Sequence, residues 1–339
     1  EKNFSFPGSN YLVSEAYGSG LTFCTGREIL KYGVVNAEKH SQHLIKLGAM
    51  KDVSDKASTH LSAANSYFQL GEYQHASETL SKLLIEEEQL SPNSFSSVHN
   101  RLSAVQEAIF QKGAPTCEIT RFIVPPEIDG DISDPWNFKG AISLDSPVSV
   151  SRIQGRTSVS EQKRKFWRGP ADLSAKVYLG WDDKHLHLLV DVNDDVAQSF
   201  ASDTHTWQGD GLMIAIDSNN DGGFGYDGKD YVFTQALMNK QPAKKNEGDS
   251  EPDGQYSVRH KADGTGTIYE SSIPWSYLKP LQPKTGTRFG FNVFILDDDN
   301  GRGPLKGLSW GPGILLHEQR AYFSKGYTPE YFGTVILKD

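Results

Sequence analysis

The sequence predicts an α+β chain in two parts, a small helical domain followed by an antiparallel β-sandwich. Three observations carry that prediction. Between about residues 36 and 112, apolar side chains recur every three or four positions, the spacing that lines one face of a helix. Near Thr116 that period stops, and short apolar or alternating runs begin, cut by Gly, Asp, Asn and Pro. Beyond that point no amphipathic helix separates the runs, so antiparallel pairing is expected.

The helical part rests on ASTHLSAANSYFQLGEYQHASETLSKLLIEEEQLSPNS, where Ala64, Tyr67, Phe68, Tyr73, Ala76, Leu80, Leu83 and Leu84 fall at helical steps. Gly71 breaks the pattern between two short helices, and Pro92 follows the second. Within it, NSYFQLGEYQHA resembles a tetratricopeptide repeat: a small residue, an aromatic pair, Gly, Tyr and Ala stand where that repeat places them. Small residues let two antiparallel helices approach closely. One such unit cannot bury both its faces, so 36–53 and 94–112 are expected to be helices stacked on it. Residues 1–115 are thus read as an extended segment plus a helical domain, acting as a spacer or a docking element for a protein partner.

Residues 116–339 are read as the sandwich. IVPPEIDGDISDPW supplies the Pro and Gly punctuation at its start, and SPVSVSRI, SAKVYLGW, HLHLLVDV, GLMIAID, DYVFTQALM, TIYESSI, RFGFNVFIL and YFGTVIL are its strand candidates. Helix is expected only as single turns, such as Trp275 to Leu278 after Pro274. Trp275 is read as core and Trp310 as an inward-facing strand residue. Trp181 and Asp182 mark a hairpin whose turn the carboxylate holds.

Composition narrows the function. The net charge of −9 argues against a nucleic-acid partner, because phosphate binding needs a basic surface. No apolar run approaches the roughly 18–20 residues of a membrane span. The chain opens without Met, and a removed signal peptide is the expected reason, which implies an extracellular, periplasmic or cell-surface location. Cys24 and Cys117 are too far apart for a zinc motif and form either one disulfide or two thiols. No Gly-x-Ser-x-Gly elbow, phosphate loop or His-Glu-x-x-His stretch is present.

Four stretches of the β half resemble the family 9 carbohydrate-binding modules, which belong with the DOMON-like sandwiches. They are IDGDISDPW (128–136), AKVYLGWDDKHLHLLVDVNDD (175–195), WQGDGLMIAID (207–217), and the series IYESSIPWSYLKP, GFNVFILDDD, LSW and FGTVILKD, in the family's order. The resemblance implies a face where aromatic rings stack on a polysaccharide or oligosaccharide while polar groups satisfy its hydroxyls. Trp207 aligns with one of the family's two sandwiching tryptophans. Asp210 stands beside it, and Tyr322, Phe323 or Tyr327 is placed to replace the second. The family's acid, arginine and glutamine on neighbouring strands fall on Met213, Thr234 and Phe294. The resemblance also implies structural calcium. Asp217, Asn219, Asp221 and Gly222 spell D-x-N-x-D-G, with Asp227 or Asp230 to complete an oxygen cage. A solvated turn with Asx caps is the other reading of that loop. Asp297, Asp298, Asp299 and Asn300 form a second acidic run, and His185 and His187 alternate on one strand face as a weak metal pair.

The sequence therefore points to a non-catalytic carbohydrate-binding protein with a structural calcium loop. One alternative is a glycoside hydrolase, or an accessory region of one, with Asp210, Glu270 and Asp297 as candidate carboxylates. The other is a structural interaction protein that binds no sugar.

Overall fold

The computed structural model describes residues 53–86, 90–132, 136, 140–145, 152–154, 167–198, 209–222, 227–238, 241–246, 254–299, 306–311, 315–317, 320–322 and 329–339. Three helices come first: α1 (Val53–Gln69), α2 (Tyr73–Glu86) and α3 (Pro92–Lys112). Gly71 stops α1 in the left-handed region (φ 75°), a conformation that costs any other residue a Cβ clash. Ala63, Ala64 and Ala76 are fully buried, and toward the turn Tyr67 stacks on His75 and Phe68 meets Tyr73 between α1 and α2. Pro92, expected simply to follow the second helix, opens the third. Its missing amide costs nothing in a first turn, and the Ser91 side chain caps the Ser94 amide at 3.2 Å. The helix expected over 36–53 lies, but for its last residue, outside the described residues, and so does Cys24.

The strands follow: β1 (Thr116–Arg121), β2 (Ile142–Leu144), β3 (Arg152–Gln154), β4 (Leu173–Trp181) and β5 (His185–Asp194). Next come β6 (Gly211–Asp217), β7 (Asp230–Met238), β8 (Gln241–Asn246), β9 (Gln255–His260) and β10 (Gly266–Pro274). The series closes with β11 (Arg288–Asp297), β12 (Lys306–Ser309), β13 (Leu315–His317), β14 (Arg320–Tyr322) and β15 (Gly333–Lys338). They hydrogen-bond in the order β8-β7-β6-β11-β15-β1-β4-β5-β10-β9, with β12 on β11 and β2 on β4. Strands β7 and β8 at one end approach β9 at the other, so the path folds over on itself into a sandwich. A small second sheet runs β14-β13-β3.

Pairing is antiparallel except where β1 lies parallel to β15 and β4, and β3 parallel to β13. Sequence reasoning expected only antiparallel neighbours. Strand β1 enters from α3 and slots between strands far away in the chain, so no hairpin fixes its direction.

Strands β6, β10 and β11 are buried along almost their whole length. Strands β6 and β11 therefore read as near-continuous apolar runs rather than alternating ones, whereas β10 buries Thr267, Glu270, Ser271 and Ser272 among its apolar residues. Buried indoles peg the core by donating to backbone carbonyls: Trp167 to Leu173 (2.7 Å), Trp181 to Lys338 (2.9 Å) and Trp275 to Asp182 (2.8 Å). Trp275 is core, as expected, above a turn closed by Tyr277 and Leu278. Trp310 lies one residue past β12, partly buried against Phe291. Its ring sits so near Gly333 that a Cβ there would meet it at 2.3 Å, so no other residue fits. From the helical side, Phe110 of α3 packs its ring 5.9 Å from that of Tyr331.

Candidate functional site

Glu270 on β10 shows how the fold uses a buried acid structurally. Its Oε2 accepts the amides of Asp129 (3.0 Å) and Gly130 (2.6 Å), which staples the opening IDGD turn. It thus has a structural duty of its own and does not join the other two hydrolase candidates, Asp210 and Asp297, which meet each other.

Those two belong to an acid basin built from distant segments. Asp172 precedes β4, Asp194 ends β5, Asp210 precedes β6, Asp297 ends β11, and Lys306 opens β12. Carboxylate oxygens of Asp194, Asp210 and Asp297 lie within 4.8 Å of one another, and so do those of Asp194, Asp195 and Asp299. The first three are almost wholly buried, at 6%, 5% and 0% exposure. Backbone amides satisfy part of the charge: Asp298 and Gln198 donate to the two oxygens of Asp210 at 2.7 and 2.5 Å, and Val196 to Asp194 at 2.8 Å. Lys306 Nζ lies 3.3 Å from Asp297, 3.0 Å from Asp299, and against Asp172. Among the described residues, neither oxygen of Asp297 has a hydrogen-bond donor, and Asp299 Oδ1 has none.

The electrostatics follow from that shortage of positive charge. Burial, then the charge of Asp194, pushes Asp210 up to about 8. Burial also raises Asp194 and carries Asp297 well above the usual carboxylate range. Burial opposes the charge on Lys306, yet Asp297, Asp172 and Asp299 together hold it above its ordinary value. Among the described residues, one ammonium among so many buried carboxylates leaves negative charge to be met by protons or by a cation. The donors are all oxygen and anionic, and some are orphaned, which fits a hard divalent ion such as calcium.

At the other end of β6, the D-x-N-x-D-G loop is organised differently. Asp217 accepts the amides of Asn220 (2.7 Å) and Gly222 (3.0 Å), and Asn219 donates to Asp221. Asp227 accepts from Lys229 (2.7 Å), and Asp230 from Asp227 (2.6 Å). Asp217 and Asp230 face each other as the last pair of the β6–β7 hairpin. Burial, then the backbone and neighbouring acids, leaves Asp230 at about 6, and burial raises Asp217. Among the described residues, the buried Oδ1 atoms of Asn219 and Asp230 lack donors. Among the described residues, the closest acidic groupings lie in the basin and not in this loop.

The expected sugar contacts are only partly placed. Trp207, Phe323 and Tyr327 lie outside the described residues. Tyr322 ends β14, opposite Leu315. Asp210 sits in the basin. The three aligned polar positions do come together, because Thr234, Met213 and Phe294 are direct neighbours across β7, β6 and β11. All three are buried, at 2%, 1% and 0% exposure.

A family model described as "Carbohydrate family 9 binding domain-like" matches residues 153–339, more than half of the chain. The chain belongs to this family. Endo-1,4-beta-xylanase A of Thermotoga neapolitana is 30% identical over 186 residues, 55% of this chain and 15% of that enzyme. Exoglucanase XynX of Acetivibrio thermocellus is 28% identical over 178 residues, 52% of this chain and 14% of that enzyme. The chain thus spans a small part of the length of these curated relatives. A family 9 module from Caldicellulosiruptor kristjanssonii, solved with cellotriose, is 20% identical with a TM-score of 0.47, over 66% of this chain and 93% of that one. In this family 9 domain the Thr234, Met213 and Phe294 row is a buried, nearly apolar stripe across three strands. The basin was the part sequence reasoning missed; only the Asp297–Asp299 run hinted at it.

Proposed function

We propose that residues 116–339 act as a non-catalytic module that holds a secreted protein on plant-type polysaccharide, with xylan and β-glucan as the first candidates. The observation that carries this reading is the family match over residues 153–339, which includes the WQGDGLMIAID strand. The relatives that share it are named as a xylanase and an exoglucanase. Sugar binding rests on ring stacking by Trp207 with Tyr322 or Tyr327. With Met213 and Phe294 in the polar row, each absent hydroxyl partner removes about 1.5–3 kcal/mol, so affinity leans on the aromatics.

Calcium fits the basin, and Asp194, Asp210 and Asp297, with Asp195 or Asp299, are the residues that would hold it. When bound it supplies the positive charge that Lys306 alone does not. Asp210 stands three residues after Trp207 in the sequence. The loop of Asp217, Asn219, Asp221, Asp227 and Asp230 is the second calcium position we propose. The three helices, read as a tetratricopeptide-like unit, serve as the docking element for a protein partner.

Affinity electrophoresis in gels containing soluble xylan or β-glucan tests the glycan reading. Retardation that disappears in Trp207→Ala supports it. Retardation that persists in that variant removes Trp207 from the site. Normal migration on every polysaccharide favours an interaction protein that binds no sugar.

A further inference from the structure

The tip of the β4–β5 hairpin gathers three side chains of a different chemistry from the basin. Asp182, His185 and His187 each offer a ligand atom within 4.8 Å of the others. Two imidazoles and one carboxylate form a mixed nitrogen and oxygen set, the kind that zinc and its d-block neighbours take and calcium does not.

The hairpin holds these groups in place. The Asp182 amide donates to the His185 carbonyl (3.0 Å), which closes the turn. Asp182 Oδ1 accepts the amides of Lys184 (2.6 Å) and His185 (2.8 Å), so the carboxylate cannot swing away. Trp275 fixes the turn from below through its bond to the Asp182 carbonyl. The His187 ring is braced edge-on by Phe122, with ring centroids 5.6 Å apart.

Separations suit a shared ion. His187 Nε2 lies 2.8 Å from Asp182 Oδ2, and His185 Nδ1 lies 3.7 Å from Asp182 Oδ1. The carboxylate thus meets each imidazole with a different oxygen. With one ligand atom from each residue, the three lie within 4.8 Å of one another, near the roughly 3.3 Å that separates ligands bonded at about 2.0–2.1 Å to a tetrahedral zinc. His187 is buried, which favours the neutral, ligating imidazole. The side chains of Asp182 and His185 are 15% and 33% exposed, so an ion and a water ligand can reach them.

We propose that Asp182, His185 and His187 form a zinc-class metal site with solvent in the remaining position. It clips the β4–β5 hairpin and is independent of both the glycan reading and the calcium basin.

The test uses the full 339-residue chain in buffer containing excess calcium, with zinc titrated by calorimetry and cobalt followed by visible absorption. Saturable uptake of one zinc per chain and a tetrahedral cobalt band are expected. His185→Ala, at the partly exposed position, should keep the metal-free melting temperature yet weaken zinc by more than the roughly 10–100-fold that an outer-sphere partner costs. Asp182→Asn should weaken it too. An absent cobalt band, zinc displaced by calcium, or uptake unchanged in His185→Ala overturns the proposal, the last because it assigns the metal to histidines elsewhere.

Discussion

Strand β6 leaves its core at both ends into aspartates, and the two ends treat them differently. At the C-terminal end, Asp217 turns back onto the amides of Asn220 and Gly222, three and five residues on. At the N-terminal end, Asp210 is pressed against Asp194 and Asp297, which arrive from other strands. An acid within a few residues of a turn finds its donors in that turn, and its charge is spent locally. Acids brought together by sheet topology have few amides to share, so their charge accumulates. The motif-bearing loop is therefore the better satisfied site, and the basin without a motif is the one that asks for an ion.

The largest expected effect comes from removing the basin's ammonium. Lys306→Met leaves Asp172, Asp297 and Asp299 without their cation, and losing one partner of a buried ion pair costs about 3–5 kcal/mol. Urea unfolding in EGTA measures it, and calcium should recover part of the loss by mass action.

Next in size is a pH effect. The folded state of Asp210 titrates at about 8 against an ordinary value of 3.8, so the folded protein binds a proton that the unfolded chain has released. The stabilisation from this group is full below about pH 4 and is lost as pH rises through about 8. In EGTA, unfolding free energy should decline across that window, and Asp210→Asn should flatten the decline. An unchanged slope in the variant would show that Asp210 does not govern it.

In the loop, Asp217→Ala uncaps two amides and should cost about 1–3 kcal/mol. Asp227→Ala, whose side chain is half exposed, should change stability by less than about 1 kcal/mol. A larger loss at Asp227 than at Lys306 would reverse the ranking of the two regions.

The same divide between local and distant explains what was legible. Helical period and Gly71 marked α1 and α2, because i to i+4 contacts are written in adjacent residues. Pro92 was harder: a proline beyond one helix reads as a stop, yet here it starts the next, and only the Ser91 cap decides. The buried strands β6 and β11 announced themselves as apolar runs. Strands β8 (QPAKKN) and β9 (QYSVRH) did not, because they close the two ends of the sheet order, where polar residues and Pro are tolerated. The parallel placement of β1 is a matter of topology, which no local pattern encodes. In the site, the hairpin pair His185 and His187 was visible as an alternation, whereas Asp182 joins them only when the turn folds back. The basin draws on residues from Asp172 to Lys306, and nothing in any one stretch marks them as neighbours.

Melting temperature in calcium against EGTA, compared across the wild-type protein, Asp217→Asn and Asp297→Asn, tests most directly whether the basin's excess charge is answered by a divalent ion. A calcium-induced rise is expected that survives for the most part in Asp217→Asn, which removes only the second position, and collapses in Asp297→Asn. A rise lost in Asp217→Asn and intact in Asp297→Asn, or no rise in the wild-type protein, contradicts it.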